Sequence, residues 1–219
     1  MKLSDLRNEL RDISTTHLCD AYDEIRLVDS AIRPMVSNFK MIGYAYTIFA
    51  EGDLLPIIKG IDDAPEDSVL IISSGGSDRA MAGEIFATKA QKKGLAGIAI
   101  DGFCRDIFEV KELGFPYYAK GFTPRAGTKN KLGKIQVSLD FGGTKVNPGD
   151  IIFGDDNGIA VLSENEFTEE LISKAKAIKV SEDVVLENID NIQFSDVLNI
   201  EEHCNNISQE IESSLKWTV

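Results

Sequence analysis

Cysteine and histidine are scarce in this chain, with three and two residues among 219. Cys19, Cys104 and Cys204 are odd in number and far apart, which argues against a disulfide framework or a zinc knuckle. His17 and His203 are also widely separated, so no histidine-rich zinc site is expected. No run of about 18 apolar residues occurs, which leaves no candidate transmembrane helix. Gly75 and Gly76, followed by Ser77, match neither the dinucleotide fingerprint nor a P-loop, so no nucleotide cofactor is implied. Positive charge is in short supply: 23 Lys and Arg stand against 36 Asp and Glu, a net of −13. Such a surface repels a phosphate backbone. The densest basic cluster, residues 129–134, holds three lysines and reads as a solvated loop, so direct nucleic-acid binding is not expected. A basic protein partner stays compatible with the charge.

What is present fits a globular domain. The chain is 43% hydrophobic and 27% charged, and is long enough to bury a sizeable core. Charges near the start, at Lys2, Asp5 and Arg7, argue against a secretory signal, and a cytoplasmic location is the expectation. Residues 3–13 and 16–25 read as short helices, the second capped by Ser14, Thr15 or Thr16. Residues 40–50 and 68–74 read as strands, the latter buried. Gly75 and Gly76 break that strand. Residues 79–93 then read as a helix, with Ile85, Phe86, Ala87 and Ala90 at core spacing and Gly94 as its stop. A strand over 97–101 completes a parallel crossover, right-handed by the usual rule. Residues 105–113 read as a short helix ended by Gly114, with a strand following at 117–120. From 134 to 162 strands and turns alternate closely (135–141, 144–146, 151–153, 159–162), as in hairpins or a partly closed sheet. Ser163 with Glu166 makes a capping box and predicts a helix to about residue 179. The acidic remainder reads as broadly helical, because Leu186, Ile189, Ile192, Phe194, Val197 and Leu198 oppose disorder. It packs either on its own core or on a neighbouring subunit. The pattern alone gives mixed α/β, with a main unit over 1–162 and a helical extension of the same domain over 163–219.

The most informative stretch runs from Ile98 to Glu109. A short apolar run meets Gly102, which lets the backbone turn sharply, and Arg105 and Asp106 follow where the strand ends and a helix begins. Ligands of open α/β folds bind at the carboxyl ends of strands. Arg105 offers a carboxylate a planar, permanently charged fork, and Asp106 offers a divalent cation a hard oxygen. The pair points to chemistry on a small carboxylate substrate; an N-capping aspartate beside a salt bridge has the same sequence. Glu109 falls on the same helix face as Asp106 and suits the outer shell of a metal-bound water. Gly83 has no side chain to block an anion from free helix amides, provided the helix starts or breaks there; otherwise it is a helix-packing glycine. Glu84 can orient or deprotonate a water. Cys104 has no positioned base and reads as a buried structural thiol. His17 reads as a surface or core residue. Asp155, Asp156, Asn157 and Gly158 read as a turn, since the spacing of a calcium loop is missing.

An ordered set of motifs carries a family resemblance: Ser14, Thr15, Thr16 and Asp20; Gly83 and Glu84; Asp101 through Asp106 with Glu109; Pro148, Gly149 and Asp150; and Asp155 to Gly158. Over about residues 13–162 the chain resembles the family of class II 4-hydroxy-4-methyl-2-oxoglutarate aldolases and RraA-type regulators of ribonuclease activity. The resemblance implies a swivelling β/β/α domain, like phosphohistidine domains, with a mixed sheet and flanking helices. It implies that the amides of Gly83, Glu84, Ile85 and Phe86 cradle a pyruvoyl carboxylate. Arg105 would bridge that carboxylate and the keto oxygen, stabilising an enolate, while Asp106 anchors Mg²⁺ or Mn²⁺. Glu84 meets the family's acidic residue after the glycine and takes the part of general base. A further acidic residue from a neighbouring subunit is implied, with no position assigned in this sequence. The implied activity is cleavage of a 4-hydroxy-2-oxo acid to pyruvate, with oxaloacetate decarboxylation at the same site, in a homotrimer or hexamer. The alternative is a non-catalytic regulator that binds a ribonuclease. In those regulators the aspartate after the arginine is replaced; its presence here as Asp106 favours the enzyme.

Overall fold

The N-terminal segment supplies two short helices, α1 (Leu3–Glu9) and α2 (Thr15–Ala21), in the computed structural model, which describes residues 3–215 and Thr218. Both are shorter than the apolar pattern predicts. Of the three candidate caps Ser14 is the one used: its Oγ accepts the His17 N–H (3.3 Å), and His17 Nδ1 accepts the Ser14 N–H (3.0 Å). His17 Nε2 meets Glu182 at 3.0 Å, so this histidine ties helices together.

Two edge strands, β1 (Arg26–Leu27) and β2 (Arg33–Pro34), precede the central one, β3 (Met41–Phe49). From β3 the chain crosses over three times in parallel. It passes through α3 (Leu55–Asp63) to β4 (Ser68–Ser73), then through β5 (Ala80–Ala82) and α4 (Glu84–Lys92) to β6 (Gly97–Cys104). The third crossover uses α5 (Ile107–Leu113) and ends in β7 (Tyr117–Phe122). All six residues of β4 are buried, as expected of a parallel strand covered on both faces. Short β8 (Lys134–Ile135) and the hairpin of β9 (Leu139–Phe141) and β10 (Thr144–Val146) follow. Antiparallel β11 (Ile151–Asp155) and β12 (Gly158–Leu162) then complete a mixed sheet ordered β1-β12-β11-β3-β4-β6-β7-β2. Helices α6 (Glu169–Glu187), α7 (Phe194–Val197) and α8 (Ile200–Ser208) come last.

Three apolar clusters define the layers. Ile57 and Ile61 of α3, Ala87 and Ala90 of α4 and Val110 of α5 share one cluster, so these helices cover one face of the sheet. Leu139, Phe141 and Val146 of the hairpin meet Val69, Ile71 and Ala99 on the other face. Leu6, Leu18 and Leu171 join α1, α2 and α6 over Phe153 and Leu162. The architecture is α/β, a mixed sheet with flanking helices. No helix among the described residues is long and apolar enough to cross a membrane.

Several boundaries differ from the sequence reading, each for a local reason. The helix expected from 79 begins only at Glu84, because Ala80–Ala82 is extended and pairs with the end of β6. Strand β6 continues past Asp101 to Cys104: at Gly102 (φ +156°) the register shifts in a bulge, and no sharp turn forms. Helix α5 starts at Ile107, with Arg105 and Asp106 outside it. The strand expected over 135–141 is split, with Gln136 at φ +56° between β8 and β9. Residues 164–166 form a turn, so the helix does not start at the Ser163 and Glu166 pair. Helix α6 begins under Thr168, whose Oγ1 accepts the Leu171 N–H (3.2 Å), and runs on to Glu187.

Candidate active site

The parallel pairing of β5 with β6 builds the site. Ala82 lies beside Cys104, and the Arg105 N–H donates to the Ala82 carbonyl (3.1 Å). The residues that leave these two strands are therefore neighbours: Gly83 on one side, Arg105 and Asp106 on the other. A Cβ at Gly83 would lie 2.9 Å from Arg105 Cγ and closer still to Asp106 Oδ2, so the approach requires glycine. Gly83 is the N-cap of α4, with extended backbone and no side chain to offer the helix.

Asp106 is unusual for its own backbone. Its φ of 55° and ψ of 45° put it in the left-handed region, which few residues other than glycine occupy. It stands at the N-cap of α5 yet makes no capping bond from its side chain. The carboxylate instead turns across to α4, where Oδ2 accepts the Glu84 N–H (3.2 Å) and faces Arg105 Nε at 3.4 Å. No partner meets Oδ1 among the described residues. The two side chains are 39% and 35% exposed, so solvent and small ligands reach both. Helix α4 opens with amides that have no carbonyl one turn earlier. Asp106 takes that of Glu84; those of Ile85 and Phe86 have no partner among the described residues. Free amides and the positive end of the helix dipole favour an anion here.

Gly83, Ile85, Phe86, Arg105 and Asp106 all line one cleft of about 200 Å³. Leu54, Ile58, Ala80, Ala126 and a second cation, Lys129, line the same cleft. Glu84 and Glu109 are exposed and do not line the cleft, although Glu84 sits between two residues that do. The described residues contain no group of three or more His, Cys, Asp or Glu placed to hold a metal. One chain therefore offers a hard cation a single carboxylate, and such ions readily keep water on their remaining positions. Cys104 is buried; burial pushes its thiol up to about 11, and Sγ donates to the Gly121 carbonyl (3.4 Å). It behaves as a core residue. The remaining lining residues were not legible in the sequence. Leu54, Ile58, Ala80 and Ala126 are ordinary apolar residues, and Lys129 belongs to what read as a solvated loop.

The other motif residues gather away from this cleft. Asp155 accepts the Thr15 N–H and hydroxyl (both 2.7 Å) and the Asn157 N–H (2.9 Å), joining α2 to the turn after β11.

Comparison with known proteins adds a family. A model of the RraA-like family, described as Aldolase/RraA, matches residues 15–161. A relative from Halalkalibacterium halodurans, provisionally named 4-hydroxy-4-methyl-2-oxoglutarate aldolase, is 36% identical over 78% of this chain and 82% of its own. An uncharacterised protein of Methanocaldococcus jannaschii is 37% identical over 89% of this chain and 94% of its own. Among solved structures, the RNA-processing inhibitor RraA from Thermus thermophilis superimposes with a TM-score of 0.64 at 29% identity, covering 68% of this chain and 92% of that one.

Proposed function

The chain belongs to the RraA-like, Aldolase/RraA family, and from that premise we propose that it is a divalent-metal-dependent lyase. Its substrate is a 4-hydroxy-2-oxo acid of the 4-hydroxy-4-methyl-2-oxoglutarate type, cleaved to pyruvate and a second carbonyl compound. One observation carries the reading: the half-open Asp106 carboxylate beside Arg105 and the free amides of α4. In this reading the amides of Ile85 and Phe86 hold the carboxylate of the 2-oxo acid, in the space that Gly83 leaves open. Arg105 spans that carboxylate and the keto oxygen. As the C3–C4 bond breaks, its electron pair moves into the pyruvoyl half, and Arg105 stabilises the negative charge on the enolate oxygen. A base takes the 4-hydroxyl proton and C3 later receives one. Glu84 is our candidate for moving these protons through water, with an exposed carboxylate between lining residues Gly83 and Ile85. Loss of CO₂ from oxaloacetate leaves the same enolate, so the site also supports that decarboxylation.

Asp106 would hold Mg²⁺ or Mn²⁺, and Glu109 one of its waters. Such an ion supplies Lewis-acid polarisation of the keto oxygen. The test is pyruvate release by the purified protein from oxaloacetate and several 4-hydroxy-2-oxo acids, with and without chelator. Metal-dependent release is expected; full activity after exhaustive chelation would overturn the metal assignment.

A homotrimer or hexamer belongs to the same proposal. Ile85, Phe108 and Phe122, 72%, 70% and 66% exposed, flank the strand and helix ends that form the cleft, an apolar set of a kind a neighbouring subunit covers. A monomeric mass by light scattering at micromolar concentration would contradict this. The second reading, a regulator that binds a ribonuclease, is supported by the likeness to the Thermus RNA-processing inhibitor. It wins if no 2-oxo acid releases pyruvate and a ribonuclease binds tightly.

A further inference from the structure

Beyond the residues that the family model matches, the C-terminal region holds a surface that the proposed chemistry leaves unused. Helix α6 packs on the body through Leu171, Ile172 and Ala175, but farther along it Val180 and Leu186 are more than half exposed. Phe194 and Ile207 are exposed to the same degree, and none of the nine residues of α8 is buried. Ile200, Cys204 and Ile207 fall at the i, i+4 and i+7 spacing of one helix face. A helix this short is marginal in water by itself and takes its stability from packing such a face.

The segment is nonetheless built. At the start of α7 the Gln193 N–H donates to Asp196 Oδ2 (2.9 Å). After α8 the chain turns back along it. The Ile211 N–H donates to the Asn206 carbonyl (2.9 Å), and His203 Nδ1 and Asn206 Nδ2 meet the Ser213 hydroxyl (3.0 and 3.3 Å). Asn199 Nδ2 donates to the Ser214 carbonyl (3.2 Å). These bonds hold Ile211 and Leu215, both half exposed, beside α8. The fold therefore orders this unit while leaving its apolar residues uncovered. Ordering a chain costs conformational entropy that burial normally offsets, and exposed apolar sets of this kind mark contact surfaces.

Charge decides what fits this surface. Residues 180–215 carry nine Asp and Glu and neither Lys nor Arg, so most of the net charge of −13 sits here. Two copies of the surface would set like charges against each other, and the rest of the chain is also net negative. Nucleic acid and anionic lipid would be repelled in the same way. We propose that the end of α6, α7 and α8 form a docking surface for a basic amphipathic helix of another protein. Its apolar face would cover Phe194, Ile207 and Ile211, and its lysines and arginines would meet the surrounding carboxylates, the exposed Glu201 and Glu202 among them. This does not depend on the chemistry assigned to the Arg105 cleft.

Fluorescence anisotropy of the intact protein with a labelled synthetic helix of about 18 leucines and lysines, leucine on one face, tests it at about 0.15 M salt. One control peptide replaces the lysines by glutamate, and a second replaces the leucines by serine. The leucine–lysine peptide should bind about tenfold or more tighter than either control, since it alone supplies both the apolar and the charged half. Ile207→Ser combined with Ile211→Ser should weaken it about tenfold. Glu201→Gln with Glu202→Gln, which keeps helix propensity, should weaken it about threefold. Asp62→Asn with Glu112→Gln, exposed carboxylates outside this segment, should leave it unchanged. Equal binding of the serine–lysine control, or an equal loss in the Asp62 and Glu112 variant, would reduce the effect to net charge and overturn the proposal. No binding by the wild type overturns it too. So does a fall in assembly mass of the Ile207 and Ile211 variant by light scattering, which would make the surface a subunit contact. If that variant loses helix by circular dichroism, the Glu201 and Glu202 variant decides, and unchanged affinity there overturns the proposal.

Discussion

Asp155 and Asp106 both follow or end a strand of the same sheet and both belong to the motifs that mark the family, yet their surroundings are opposite. Asp155 is buried, and both of its oxygens are met by donors at 2.7–2.9 Å from Thr15 and Asn157. Asp106 is a third exposed, carries its two contacts at 3.2 and 3.4 Å on one oxygen, and sits on a left-handed backbone. A carboxylate whose lone pairs are filled by the protein is a structural joint. One left partly unfilled at a solvent-reached strand end is free to meet a ligand.

The contrast breaks most easily at Arg105 and Asp106. Arg105→Ala should lower pyruvate release by about 10²- to 10³-fold, as loss of a transition-state donor does. Asp106→Ala should lower it as far and remove its metal dependence. Because the Arg105–Asp106 pair is more than a third exposed, each variant should lose no more than about 1 kcal/mol in a denaturation midpoint analysis. An inactive variant that is also grossly unfolded would move Asp106 into the class of Asp155. Gly83→Ala comes next: the new methyl pushes on Asp106 and Arg105, and a displacement of about 1 Å at a reacting group costs up to about 10²-fold. Its thermal melt should shift little, since α4 keeps its packing through Ala87 and Ala90.

At the other pole, Asp155→Ala should cost about 1–3 kcal/mol, because it strands buried donors of Thr15. Turnover per folded molecule, measured well below the melting range, should stay near wild type. Asp53 shows its contribution as a pH dependence of stability. Burial by itself would raise its carboxyl; the Thr128 hydroxyl and the N–H groups of Leu55, Asn130 and Lys131 overcome this and hold it at about 2 in the folded chain against an ordinary 3.8. The stability it contributes is therefore complete above the unfolded value and is lost as pH falls toward and through the folded one. Urea titrations between pH 5 and 2 should show a shallower acid decline in Asp53→Asn than in wild type. Equal slopes would assign the acid loss to other carboxylates.

Much of this molecule was legible from local pattern. The apolar run of β4, the stop at Gly114, the hairpin residues at 144–146 and the adjacency of Arg105 and Asp106 all come from short-range rules. Helix starts were the weak point. Residues 79–83 have helical periodicity, but Ala80–Ala82 finds a hydrogen-bonding partner in β6, and a ladder to a distant strand outcompetes local propensity. Gly102 illustrates the same limit, since a glycine can serve a turn or a bulge and only the neighbouring strand decides.

By itself, the sequence determined the alternation of strands and helices, the family and the acidic surface, because these rest on residue identity and spacing along the chain. It also determined which arginine and aspartate stand together, as they are adjacent. Only the tertiary structure decided that Gly83 touches Asp106 from 23 positions away, that the amides of Ile85 and Phe86 are left open, and that Asp53 holds the turn bearing Lys129. Those relations exist between segments that meet only when β5 and β6 pair and α3 docks on the sheet. Their energies come from donors and acceptors brought within 3 Å by the fold, and no local stretch of chain contains both partners.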